Sequence, residues 1–323
     1  MTEHLVIPFA ACAGPAWASA MKTLPPNSFQ HLGKLLQGMK LVHTHTGDGH
    51  SLSPPHERVL AAALALPDAS QAPDGLVPWA ALAAHQAGMP VGNAWAFVTP
   101  CHWAMGREHA TLTDPAGLAV TADEARTLHA AMQPYFGTEG ITLHPTTPGR
   151  WLAEGEVFRT LPTASLDRVL GRNVDAWLPG KTTAASLRRL QNEMQMLLYT
   201  HPLNDTRSAA RQRTVNSFWL SGSGALSERD TATVVVPEAS TTPRTLAQAV
   251  FNDDWAAYAA AWAALDAGDI AQLLARQKAG QTVRLTLCGE RHAQTFESAK
   301  TSLFNQFKNL FSPMPGYSLL EQL

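Results

Sequence analysis

Between Tyr199 and Gly224 the chain reads YTHPLNDTRSAARQRTVNSFWLSGSG, the densest polar stretch in a sequence otherwise rich in alanine and leucine. It holds His201, Asn204, Arg207, Arg211, Arg213 and Asn216, and closes on Ser221-Gly-Ser-Gly224. These residue types suit anion binding. A guanidinium offers a planar fork of N–H donors that matches carboxylate and phosphate. A glycine-rich turn after a strand can aim backbone amides at the same kind of ligand. The glycine pattern is neither the G-x-S-x-G of an esterase nucleophile nor a phosphate-binding loop, because the required lysine is missing. Two more arginines, Arg188 and Arg189, lie just upstream, where Leu187, Leu190, Met194, Leu197 and Leu198 recur at helical spacing. That apolar stripe reads as core, with one of the two arginines left in solvent.

Two further clusters carry chemistry-bearing side chains. In His43-Thr-His45-Thr-Gly-Asp48-Gly-His50 the two leading histidines share a face of an extended chain. The pattern approaches the H-x-H-x-D-H of metallohydrolases, but Gly47 stands where the acid is needed. Gly47 and Gly49 point instead to a polar surface loop. The second cluster, Thr99 to His109, follows an apolar segment that reads as a buried strand. Ligands of open α/β sheets bind at such strand ends. Cys101 and His102 are adjacent and so point to opposite faces of an extended chain, which suits them poorly to pass a proton. His102, Arg107 and His109 read as ligand contacts, or the segment as a hinge packed around Trp103.

The elements that must position these groups follow from apolar spacing. Strands are expected at Leu5–Phe9, Asn93–Thr99, Asn216–Leu220, Thr233–Val236 and Val283–Cys288. Helices are expected from Asn27 or Ser28 to Met39, then at Glu57–Leu66, Pro78–Ala87, Ala185–Thr200, Leu246–Phe251 and Trp255–Leu265. Short apolar strands alternating with helices predict an α/β fold, a mostly parallel sheet sandwiched by helices. One segment breaks the rhythm: a strand at His109–Leu112, a helix opened by the capping box Thr121-Ala-Asp-Glu124, and a hairpin from Ile141–His144 to Arg150–Ala153. It reads as a small α+β cap at 104–170, inserted between core parts 1–103 and 171–323.

Composition bounds the function. The 323 residues are 45% hydrophobic and 15% charged, with net charge −2, which gives no bulk reason to expect nucleic acid or a membrane surface. No apolar run approaches the ~18 residues of a bilayer span, and the start of the chain reads as a first strand rather than a signal peptide. Three widely spaced cysteines argue for a reducing, cytoplasmic setting.

The stretch His201–Gly224 resembles the H-P-x-N…N-x-(I/F)-W-L-W-G-x-G segment of archaeal-type cofactor-independent phosphoglycerate mutases, in the alkaline phosphatase superfamily. His201, Pro202, Asn204, Asn216, Trp219, Leu220, Gly222 and Gly224 carry the match. Leu24-Pro-Pro-Asn27, Phe97-Val-Thr99 with Asp114-Pro-Ala-Gly117, and Gly149-Arg150-Trp151-Leu152 are similar to other segments of that family in the same order. TPCHWAMGREHATL, GRWLAEGEVFRTLPTASLDRVLGR and NEMQMLLYTHPLN are more similar still to a bacterial group called phosphoglycerate mutase-like or regulatory protein RpfE. The resemblance implies an alkaline-phosphatase-like core with an inserted cap. The mutases use two divalent metals and a serine nucleophile, and the chain departs from them at the metal positions. Pro8-Phe-Ala-Ala-Cys12 carries no acid after the first strand, Asp253-Asp254-Trp-Ala-Ala-Tyr258 lacks a histidine, and Glu290 with His292 is a remnant of an Asp-His pair.

The expectation is therefore a degenerate mutase-like protein without a two-metal site, without a cofactor, and not an active metal-dependent mutase. It would bind a small anionic or phosphorylated ligand, or a protein partner, between core and cap through His102, Arg107, Arg150, His201, Asn204, Arg207 and Asn216. The alternative is an active metal-dependent mutase or phosphohydrolase holding a divalent ion such as Mn or Zn through His43, His45, Asp48, Glu290 or His292.

Overall fold

A computed structural model describes residues 3–25, 28–66, 73–234, 240–299 and 319–323. In chain order the elements are β1 (Glu3–Ile7), α1 (Pro15–Thr23), α2 (Gln30–Gln37), β2 (Met39–Thr46), α3 (Pro55–Ala63), α4 (Trp79–Gln86), β3 (Ala94–Cys101), β4 (Trp103–Met105), β5 (Ala110–Leu112), α5 (Ala122–Thr138), β6 (Thr142–Thr147), β7 (Arg150–Glu154), α6 (Leu166–Val169), α7 (Ala185–Tyr199), α8 (Pro202–Ala209), β8 (Ser217–Ala225), α9 (Glu228–Thr233), β9 (Ser240–Thr241), α10 (Thr245–Phe251), α11 (Trp255–Leu265), α12 (Ala271–Lys278), β10 (Val283–Cys288) and β11 (His292–Ser298). Helices and strands mix along the chain, as an α/β sequence predicts. Among the described residues no helix is long and apolar enough to cross a membrane. Two compact units form. The first comprises Met1–His50, Pro54–Ala63 and Val236–Leu323, the second Ser51–Ser53 and Leu64–Val235. The second unit thus takes in more chain than the cap expected at 104–170.

The first unit is built on a sheet ordered β2-β11-β10-β1-β9. The sheet is mixed: β1 runs parallel to β10 and β9, while β10–β11 and β11–β2 are antiparallel. Strand β1 is apolar almost throughout because both its faces are covered. Leu5 and Ile7 pack with Tyr258, Trp262 and Leu273, and Val6 packs on the other face with Val59, Cys288 and Ala293. Between α11 and α12 lies a π-helical turn, Asp266–Ile270. Asp266 reaches from it to the start of α2, accepting from the amides of His31 at 3.1 Å and Leu32 at 2.8 Å. The carboxylate thereby satisfies donors that a helix N-terminus leaves open. The helix expected from Asn27 or Ser28 to Met39 is shorter, and Asn27 lies outside the described residues. The polar loop expected after His43 is instead strand β2 as far as Thr46, an edge strand exposed along most of its length. Its exposure removes the apolar alternation by which a half-buried strand is read.

The second unit holds an antiparallel sheet ordered β6-β7-β3-β8 and a separate ribbon, β4–β5. Strand β3, expected in a parallel sheet, runs antiparallel to both β7 and β8. All eight of its residues are buried, and continuous burial says nothing about strand direction. The predicted capping box forms: Thr121 Oγ1 accepts from the Glu124 amide, and Glu124 accepts from the Thr121 amide at 2.8 Å. Leu128, Met132 and Phe136 of α5 and Leu187, Leu190, Met194 and Leu198 of α7 pack with Trp151, Phe218 and Leu220 of the sheet. Of the strand expected at Thr233–Val236, Thr233 ends a helix and residues 235–236 lie outside the described residues.

Candidate functional site

The polar stretch from Tyr199 to Gly224 folds into a tightly bonded corner of the second unit. His201 caps α8, its Nδ1 accepting from the Leu203 amide at 3.1 Å. Asn204 is buried and fully engaged, donating to Leu198 O and Val215 O and accepting from the Val215 amide. Arg207 is 1% exposed. Its guanidinium donates to Arg213 O at 2.7 Å, Leu118 O at 2.5 Å and Glu124 Oε1 at 2.7 Å. Burial raises the pKa of the Glu124 carboxyl, but the Thr121 amide and then Arg207 outweigh it and hold the group below its ordinary value. Asn216 donates to Trp103 O and accepts from the Trp103 amide. His102 Nδ1 lies 2.9 Å from Thr214 O. Asn204 and Arg207 thus tie α8 to the end of α7 and the start of α5, and Asn216 ties the segment leading into β8 to β4.

The other predicted groups fall elsewhere. Arg150 is exposed at the β6–β7 hairpin, its guanidinium 4.3 Å from the centre of the Phe97 ring. Cys101 is buried in β3, and burial pushes its thiol well above the ordinary range, so no thiolate is on hand. Ser221-Gly-Ser-Gly224 lies inside β8 rather than in a loop after it. Gly222 has φ 62°, and a Cβ there would meet Trp79 and Phe97 at 3.0–3.1 Å. Its glycine is required by packing, which corrects the anion-cradle reading. Of the alternative metal ligands, His43 and His45 lie on β2, and His292 stands opposite Thr46. Asp48 accepts from the His50 amide, and Glu290 from the Ala13 amide at 3.0 Å. Among the described residues no three His, Cys, Asp or Glu side chains gather to hold a metal ion.

Of the predicted contacts, Arg107 and His109 line an open groove of about 370 Å³, wholly within the second unit. One wall is the β4–β5 ribbon, with Met105, Arg107, Glu108 and His109. The ribbon turns tightly: the Gly106 amide donates to His109 O at 2.9 Å, and a Cβ on Gly106 would sit 2.9 Å from that same oxygen. Arg188, Gln191, Asn192 and Gln195 of α7 also line the groove, with Val174, Asp175 and Leu178. Gln191 is fixed from below, donating to Ser217 Oγ at 2.6 Å and Phe218 O at 2.9 Å. Arg107 and Arg188 have no ion pair or side-chain hydrogen bond among the described residues, whereas Arg189, the next residue on the helix, pairs with Glu139 and Glu193. Two unpaired guanidiniums facing one cavity of ligand size can hold a carboxylate or phosphate. Of the two arginines, one of which the apolar stripe leaves to solvent, Arg189 is the exposed one and Arg188 lines the groove; Asn192 and Gln195 carried no sequence expectation. The available signal was that Arg188, Asn192 and Gln195 share one face of the helix, alongside the apolar stripe.

No family model matches the chain, and no curated protein matches it. Among solved structures it is similar to the PH0037 protein from Pyrococcus horikoshii, at TM-score 0.46 and 12% identity, over 92% of this chain and 87% of that one. It is similar also to a cofactor-independent phosphoglycerate mutase from Thermoplasma acidophilum DSM 1728, at TM-score 0.35 and 11% identity, over 98% of this chain and 95% of that one.

Proposed function

We propose that the chain is a divergent relative of the cofactor-independent phosphoglycerate mutases, of the RpfE-like kind within the alkaline phosphatase superfamily, that serves as a binding or regulatory protein for a small anionic ligand. The motif from His201 to Gly224 supports the kinship. The lack of an acid in Pro8-Phe-Ala-Ala-Cys12 supports a binding role over two-metal phosphoryl transfer, which needs oxygen and imidazole ligands around paired ions. The observation that carries the proposal is the pair Arg107 and Arg188, both without an ion pair among the described residues and both lining one groove. In this reading the anion-binding role falls to these two residues with His109, while Asn204 and Arg207 hold the walls in place.

Thermal unfolding of the protein with and without 3-phosphoglycerate tests this. A ligand at 100 times its Kd adds about 2.7 kcal/mol, and the resulting rise in Tm is absent in Arg107→Ala and Arg188→Ala. Turnover of 3-phosphoglycerate to 2-phosphoglycerate on adding Mn would overturn the binding role.

A further inference from the structure

The groove carries charge of both signs. Arg107 and Arg188 line it together with Glu108 and Asp175, two positive and two negative side chains on one cavity. None of the four makes an ion pair or a side-chain hydrogen bond among the described residues. Elsewhere in the same unit arginines do find an acid: Arg126 pairs with Asp123, Arg159 with Glu156 and Arg189 with Glu139. The groove thus holds opposite charges in one space and leaves both signs to an occupant.

Local backbone fixes where these charges start from. Arg107 and Glu108 are the two residues at the tip of the β4–β5 ribbon, between Gly106 and His109, whose main chains are bonded to each other. Asp175 lies in a short 3-10 turn, Val174–Ala176, and its amide donates to Asn173 Oδ1 at 3.0 Å. Val174 beside it is buried, so the turn is anchored while the Asp175 carboxylate stays open. Arg188 shares its groove with Asn192, whose exposed amide makes no hydrogen bond among the described residues. Gln195 donates to Ser217 Oγ at 3.2 Å, and its carbonyl oxygen has no donor among the described residues. That oxygen adds an acceptor for an N–H group to the two carboxylates.

The four charges sum to zero, and that balance selects the occupant. An anion alone satisfies two guanidiniums and is repelled by two carboxylates, and a cation alone meets the reverse. An uncharged ligand takes water from the charges and returns a partner to none of them. A zwitterion sets its acid group against the arginines and its ammonium against the acids, so each charge that loses water gains a charged hydrogen-bond partner. The volume of about 370 Å³ lies at the small end of ligand pockets and suits one short molecule. We infer that the groove binds a small zwitterion, a short-chain acid that also carries a protonated amine. The inference rests on the proposed anion grip of Arg107 and Arg188, and adds Glu108 and Asp175 as the groups that recognise the amine.

Two matched pairs of compounds, titrated into the full chain by calorimetry, test this. O-phosphoserine and 3-phosphoglycerate differ only by an ammonium in place of a hydroxyl on the middle carbon. Aspartate and malate differ in the same way and carry no phosphate. The amine binds at least tenfold more tightly than its hydroxyl partner. A preference confined to the first pair supports a phosphorylated amino acid, and one seen with the second supports a plain amino acid. Glu108→Gln and Asp175→Asn, made together, abolish the preference with the melting temperature unchanged, and tighten 3-phosphoglycerate because two repelling carboxylates are gone. Equal binding within both pairs, or a preference unchanged by that double variant, overturns the inference. Equal binding that is lost in Arg107→Ala/Arg188→Ala leaves the anion site standing and removes amine recognition alone. Binding of O-phosphoserine without 3-phosphoglycerate, lost in both double variants, supports the zwitterion and overturns a ligand that is only an anion. Binding of none of the four compounds overturns both readings.

Discussion

At the scale of single residues, Arg207 and Arg188 show how far one side-chain type can diverge in use. Arg207 donates to two main-chain oxygens and one carboxylate from a position with almost no solvent. Arg188 stands in an open groove with no ion pair among the described residues. Removing one member of a buried ion pair leaves the other charge and its neighbours unsatisfied, at a cost of about 3–5 kcal/mol. Arg207→Ala is therefore expected to lower the unfolding free energy of the second unit by about 3 kcal/mol in urea titration, and a loss below ~1 kcal/mol would contradict the role given to it. The sequence displays the concentration of arginines but not their partners. Glu124 and Leu118 lie 83 and 89 residues away from Arg207, and no local pattern announces such a contact.

At the scale of elements, legibility tracks how local the determining physics is. The Thr121–Glu124 capping box and the apolar stripe of α7 are set by neighbours three or four residues apart, and both are read correctly. Sheet pairing is set by distant chain, so the direction of β3 and the existence of the polar edge strand β2 escape a reading based on periodicity. A buried chain across three strands has a measurable consequence. His4 of β1 lies 2.8 Å from Thr286 Oγ1 of β10, which lies 2.9 Å from Thr295 Oγ1 of β11. Burial, helped by the charge of Arg284, pushes the His4 pKa down from 6.5 to about 4. The folded state thus keeps this histidine neutral, while the unfolded chain takes up a proton near pH 6.5. Its contribution is fully present above that pH and is lost as the pH falls toward 4. Between pH 7.5 and pH 5 the first unit should lose about 2 kcal/mol from this group. His4→Gln should flatten that slope in urea titrations, and an unchanged slope would remove His4 as its source.

At the scale of the whole molecule, the two compact units each have their own apolar core. Separate cores predict separable unfolding. Calorimetry should resolve two transitions, with Arg207→Ala lowering one and Asp266→Ala, which uncaps α2, lowering the other. A single transition shifted equally by both changes would contradict this. The groove is a property of this scale too. Its walls come from residues 103–110, 174–178 and 188–195, segments whose convergence depends on the ribbon, the sheet and α7 together. Arg107 was legible as a strand-end cation, whereas Arg188 gained meaning only once the ribbon faced it. In the proposed reading these two arginines form one anion-binding site. Calorimetric titration of 3-phosphoglycerate into the wild-type protein and the Arg107→Ala/Arg188→Ala double variant tests it most directly. One site per chain is expected in the wild type and none in the variant, with both proteins unfolding at the same temperature in the absence of ligand. Equal binding by the two proteins, or no binding by the wild type, would contradict it.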